Sequence, residues 1–92
     1  MKVENITSNN GNKIANQFVI TDDKQNEYFQ SYNSMIVKKD YESDQVKIYL
    51  DKKYWNYSNT TGKYRNIFLG ETIKDTKAKI KSGEYILTDL NK

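Results

Sequence analysis

The sequence predicts an α+β domain: a mainly antiparallel sheet, a meander of short strands, with two or three short helices inserted before a C-terminal strand. Three observations carry that expectation. Before Leu50, short apolar runs alternate with clusters of turn-forming residues. After Leu50, the apolar spacing changes to that of a helical face. The closing run "EYILTDL" returns to strand character.

Taken in order, "MKVENITSNNGNKIANQFVIT" reads as a hairpin, because Asn10-Gly11 tolerates the positive φ of a type I′ turn. The polar run Ser8–Asn12 leaves room for a loop longer than two residues. "NQFVIT", the turn "DDKQN" and "EYFQSY" form a second hairpin, followed by "SMIVKK", the charged loop "DYESDQ" and "VKIYL". In that last strand Val46, Ile48 and Leu50 share one face, while Lys47 and Tyr49 share the other. Asp51 can cap a short helix over "KKYWNYS", and Ser58 can cap a second over "NTTGKYRNIFL" that Gly70 ends. Tyr54, Tyr57, Thr61, Tyr64 and Phe68 fall on one face of those two segments. "ETIKDTKAKIKSG" reads as a third helix with Ile73, Thr76 and Ile80 inward and Gly83 as its left-handed terminus.

At 92 residues the chain has the length of one domain, 1–92. No apolar run at the N-terminus suggests a signal peptide, and none reaches membrane-spanning length, so a cytoplasmic protein is expected. The composition restricts the chemistry more sharply. With no Cys there is no disulfide framework and no thiolate metal site. With no His as well, the usual general base and nearly all transition-metal sites are gone. The four glycines form no phosphate-cradling loop. No catalytic residue, cofactor or metal is therefore expected, and the chain is read as a non-enzyme.

One carboxylate cluster tests that expectation. In "DYESD", Asp40, Glu42 and Asp44 alternate, and Asp51 stands twelfth from Asp40, as in a calcium loop. Position six is Gln45 rather than Gly, and residues 46–50 read as a strand, so a solvated hairpin loop is expected.

Charge is uneven. Residues 1–45 carry five lysines against seven acids, net −2, and residues 46–92 carry ten basic residues against five acids, net +5. Between Lys47 and Arg65, basic residues interleave with Tyr49, Tyr54, Trp55, Tyr57 and Tyr64. Aromatics beside cations are the chemistry of single-stranded nucleic-acid sites and also of protein-interface hot spots. Lys63, Arg65, Lys52, Lys53, Tyr49, Tyr54 and Trp55 are accordingly the candidate binding residues, with Trp55, Tyr64 and Phe68 also fitting a core role. Arg65, the single Arg beside fourteen Lys, is expected on an exposed rim, where its fork suits bidentate or stacked contacts. Lys74, Lys77, Lys79 and Lys81 read as the wet face of the third helix.

The Lys- and Asn-rich usage, with no Pro, fits an A/T-rich genome such as that of a low-GC bacterium or its phage. The stretches "NQFVI", "YFQSYNSMI", "KIYLDKKYWNYSNTTGKYRNIFLGE" and "SGEYILTDLN" resemble a family of small uncharacterised proteins of phages and other mobile elements of low-GC Gram-positive bacteria. The resemblance covers roughly residues 16–91 and implies a habitat rather than a mechanism. Two function classes follow. One is a non-enzymatic binder of a host protein or nucleoprotein, an anti-defence inhibitor of the anti-CRISPR type included. The other is a single-stranded nucleic-acid-binding protein of phage replication or transcription. A metal-dependent nuclease on "DYESD" is a distant third.

Overall fold

A computed structural model describes residues 1–91. One six-stranded sheet runs in chain order: β1 (Lys2–Thr7), β2 (Lys13–Thr21), β3 (Glu27–Ser31), β4 (Ser34–Asp40), β5 (Lys47–Asp51) and β6 (Tyr85–Thr88). The first five strands form an antiparallel meander. The chain then crosses through α1 (Asn59–Leu69) and α2 (Ile73–Ser82) to lay β6 parallel to β5. The α+β architecture expected from the sequence is therefore the one observed. Among the described residues, no helix is long and apolar enough to cross a membrane.

The turns follow local chemistry. Ser8 and Asn12 close the first loop, Ser8 N–H donating to the Asn12 carbonyl at 2.8 Å. In the Asn10-Gly11 pair only Gly11 takes positive φ (+82°), so the wider loop forms and the type I′ turn does not. In the second turn the Asp22 carboxylate accepts the Lys24 and Asn26 N–H groups at 2.9 and 3.0 Å. Tyr32, in left-handed conformation, turns β3 into β4 and donates its N–H to the Asn16 carbonyl at 2.7 Å.

The helix ends match their capping residues. Ser58 Oγ accepts the Thr61 N–H, and Gly70 ends α1 in left-handed conformation. Thr72 and Asp75 exchange the two bonds of a capping box at the start of α2, and Gly83 closes it. Ile73, Thr76 and Ile80 are buried or half-buried, as their spacing implies, and Lys79, expected on the wet face, is half-buried beside them.

Two expectations are corrected. Residues 52–57 form turns, not a helix. Asp51 does accept the Lys53 and Tyr54 N–H groups in the manner of a cap. Its other oxygen accepts the Leu90 N–H at 2.8 Å, and the Lys52 N–H is drawn to the Thr88 carbonyl at 2.8 Å. The sheet edge thus claims the backbone that would start the helix, and Ser58 begins its own cap after one turn. Tyr54 and Tyr57 consequently leave the α1 stripe and pack edge to face at 5.5 Å, with Tyr57 49% exposed. Val46, expected with Ile48 and Leu50, precedes β5 and is exposed.

Phe29, Ile36, Val37, Leu50 and Tyr85 form the buried core, with Trp55, Tyr64, Phe68 and Ile80 among the half-buried side chains packed on it. A bulge at Ile36, between the Phe29–Val37 and Gln30–Met35 pairs, accompanies two consecutive fully buried residues. Both helices lie on the Phe29 side of the sheet. The Phe29 and Phe68 rings stack at 5.9 Å, the Ser31 and Thr61 hydroxyls meet at 2.9 Å, and the Tyr85 hydroxyl donates to Glu71 at 2.6 Å.

Candidate binding face

Because successive strand residues point to opposite faces, the register that seats Phe29, Val37 and Leu50 under the helices turns their neighbours the other way. On that second face one row crosses all six strands: Val3, Ile20, Tyr28, Lys38, Tyr49 and Ile86. Both helices lie on the other side, so neither covers this row. Val3 and Ile86 at its ends are 57% and 41% exposed. Ile20, Tyr28, Lys38 and Tyr49 are half-buried, consistent with the shielding that ladder neighbours supply. A solvated face of an antiparallel sheet ordinarily carries polar residues. Here the only charge in the row is Lys38, whose ammonium lies 5.7 Å from the centre of the Tyr28 ring.

At the end of this face where β5 and β6 terminate lies an open cleft of about 590 Å³, lined among others by Gln30, Met35, Lys52, Lys53, Tyr54 and Asn91. Its shape depends on two cross-links. Asn91 clamps β4, accepting the Met35 N–H and donating to the Met35 carbonyl. Asp51, 1% exposed, ties the turn to Leu90. Burial alone would raise the Asp51 pKa, but the hydrogen bonds from Leu90, Tyr54 and Lys53 outweigh it and hold the carboxyl below its usual range. The Lys53 ammonium stands 5.3 Å from the Tyr54 ring centre.

The expected binding residues thus divide. Tyr49 belongs to the open row, and Lys52, Lys53 and Tyr54 line the cleft at its end. Trp55, Lys63 and Arg65 lie on the helix side. Trp55 is half-buried against the core, and Lys63 is exposed with its ammonium 5.4 Å from the Tyr64 ring centre.

Arg65 is a correction. It is 1% exposed and is the largest fully buried side chain, not an exposed rim residue. Its guanidinium lies 5.4 Å from the Trp55 ring centre and donates to the Trp55 carbonyl (2.7 Å), Asn56 Oδ1 (3.1 Å) and Asn66 Oδ1 (3.0 Å). It holds the 52–57 turn to α1, passing beside Gly62, where no side chain blocks the approach. Burial pushes its pKa down, and the Glu71 charge partly offsets that.

Glu71 is the hub of the helix side. It accepts hydrogen bonds from Tyr85 (2.6 Å), Thr76 (2.6 Å) and Lys79 (2.8 Å), so Lys79 is paired rather than free. Burial acts to raise the Glu71 pKa, yet those three donors prevail and keep it low. The same contacts raise Lys79, and burial with the Glu71 bond pushes Tyr85 up to about 12. Tyr85 is 5% exposed, so the cluster ties α2 to β6 and offers little access to a substrate.

The "DYESD" loop does not converge. Asp40 accepts the Glu42 N–H and Glu42 accepts from Asn26, while among the described residues no group of three or more metal-ligating side chains could hold an ion. Sequence reasoning missed Tyr28, Lys38 and the aliphatic ends of the open row. Their alternation was legible, but which strand lies beside which was not.

No curated protein and no solved structure matches the chain. The model of one protein family, the family of unknown function DUF8033, matches residues 1–86, and the chain belongs to that family.

Proposed function

We propose that the chain is a non-enzymatic binding protein that docks on a host protein or nucleoprotein through the open face of its sheet. One observation carries this reading: the row Val3–Ile20–Tyr28–Lys38–Tyr49–Ile86 presents apolar and aromatic groups on a face that neither helix covers. Exposed apolar patches bounded by polar residues mark interaction sites. The absence of His and Cys from the sequence supports binding over catalysis, since it removes the commonest acid–base and nucleophilic groups. A small domain of this kind acts by occluding a surface. The A/T-rich residue usage fits a low-GC bacterium or its phage, and the resemblance to small phage and mobile-element proteins supports an origin where inhibitors of host defence enzymes, the anti-CRISPR type among them, work in this way.

The test is capture from a host lysate with the tagged full chain, the variants Tyr49→Ala and Ile86→Glu, and Lys74→Glu on α2 as a control. The two face variants should keep the fold, as read by circular dichroism, and lose the partner, whereas the α2 variant should retain it. Loss with Lys74→Glu and retention with both face variants would move the docking surface to the helices.

A further inference from the structure

We infer that the element held on the open face is single-stranded nucleic acid, with bases stacked on Tyr28 and Tyr49 and phosphates drawn to Lys38, Lys52 and Lys53. This rests on the reading of that face as the docking surface.

Two aromatic rings flank one ammonium in a single row. Tyr28 on β3 and Tyr49 on β5 stand on either side of Lys38 on β4, so two ladder spacings separate them, roughly 10 Å. Phe18, opposite Gln30 in the next row, adds a third half-buried ring to the same face. Rings carried on a sheet and interleaved with lysine are how single strands are bound, because every base has a π face to stack and every linkage has a phosphate to neutralise.

At one end of this face Asp40 stands opposite Lys47 and Asp22 accepts the Tyr28 hydroxyl at 3.0 Å. Lys52 and Lys53 stand at the other end, in the cleft that Gln30 and Tyr54 also line. A polyanion laid on the row and led into the cleft meets Lys38, Lys52 and Lys53. The two acids that also line the cleft, Asp51 and Asp89, already accept backbone N–H groups, Asp51 from Lys53, Tyr54 and Leu90 and Asp89 from Asn91. Of the two occupants proposed above, the nucleic-acid part of a nucleoprotein suits the centre of the row better than a bare protein surface. Lysine is depleted from the dry cores of protein interfaces, and Lys38 has no carboxylate partner within ion-pair distance among the described residues.

The experiment is fluorescence anisotropy of the full chain with labelled oligo-dT and, separately, oligo-U, across a salt series. The expected result is saturable binding of at least one strand at low salt, with the two arms showing whether DNA or RNA is preferred. Tyr49→Ala should weaken it roughly 5- to 150-fold, the worth of one stacked base. Tyr49→Phe, which keeps the ring, should bind like wild type. Lys38→Gln should reduce the slope of log affinity against log salt by about 0.7, the share of one phosphate on a single strand. Asp40→Asn should tighten binding.

Failure of the folded wild type to bind either strand would overturn the inference. So would binding that ignores both Tyr49→Ala and Lys38→Gln, because the strand would then lie elsewhere, as on the lysines of α2. If neither strand binds but Tyr49→Ala still loses a nuclease-resistant protein from lysate, the inference falls while the open face stands as the docking surface. If the face variants change neither measurement, both readings fall.

Discussion

The guanidinium of Arg65 lies 5.4 Å from the centre of the Trp55 ring and donates a 2.7 Å hydrogen bond to the Trp55 carbonyl, fastening the 52–57 turn to α1. The lone arginine is thereby a structural residue. Arg65→Ala removes three hydrogen bonds and strands their acceptors, at an expected cost of about 2–4 kcal/mol in urea unfolding. Arg65→Lys should recover only part of this, since an ammonium cannot span the same acceptors. Lys63→Glu, two residues away and exposed, should stay within about 0.5 kcal/mol of wild type. Equal effects at 63 and 65 would contradict the buried clamp.

Gly62 supports a prediction of opposite sign. A methyl group added there would sit 3.6 Å from the Arg65 Nη2, ordinary van der Waals contact. Alanine also favours a helix interior over glycine. Gly62→Ala should therefore stabilise the fold by about 0.5–1 kcal/mol, seen as a higher unfolding midpoint. A loss of stability would show that Arg65 needs more room than the geometry indicates.

Gln17 is 1% exposed, and neither its amide nitrogen nor its oxygen has a hydrogen-bond partner among the described residues. An unpaired buried carboxamide costs about 1–3 kcal/mol of desolvation. Gln17→Met, similar in length and apolar, should raise stability by about 1 kcal/mol. Destabilisation would instead place a bound water at that carboxamide.

The pH profile follows from the Glu71 cluster and Asp51. Both carboxyls are depressed in the folded state, so their contribution is present above their unfolded values of 4.5 and 3.8 and is lost as the pH falls below them. Tyr85 is raised from 10.0 to about 12, so its contribution is complete below 10.0 and lost as the pH climbs toward about 12. Stability should thus be flat near neutrality and fall at both ends. Glu71→Gln should lower the plateau and flatten the acid limb, as thermal melts across pH would show. An acid limb as steep as that of wild type would mean that Glu71 is not a source of it.

Much of this fold was legible because its signals are local. Ser58, Gly70 and Gly83 cap helices through contacts within a few residues, which is why those ends fall where the sequence placed them. Asp51 was misread for an equally local reason. A carboxylate that accepts two following N–H groups looks alike before a helix and before a turn, and only the distant Leu90 and Thr88 decide which forms. The open row was out of reach, because it depends on register between strands far apart in sequence, as in Tyr49 beside Ile86. Arg65 was misplaced because a charged residue in a lysine-rich chain suggests solvent. Its burial is decided by Trp55, Asn56 and Asn66, whose acceptors only the folded 52–57 turn brings to it.

The central claim is that a partner sits on the open sheet face, and site-specific photocrosslinking tests it most directly. A photoreactive phenylalanine derivative replaces Tyr49 in one sample and Lys74 on α2 in another, and both are irradiated in a host lysate. The expected result is a discrete adduct from position 49 and none from position 74. An adduct from position 74, with none from position 49, would contradict the account.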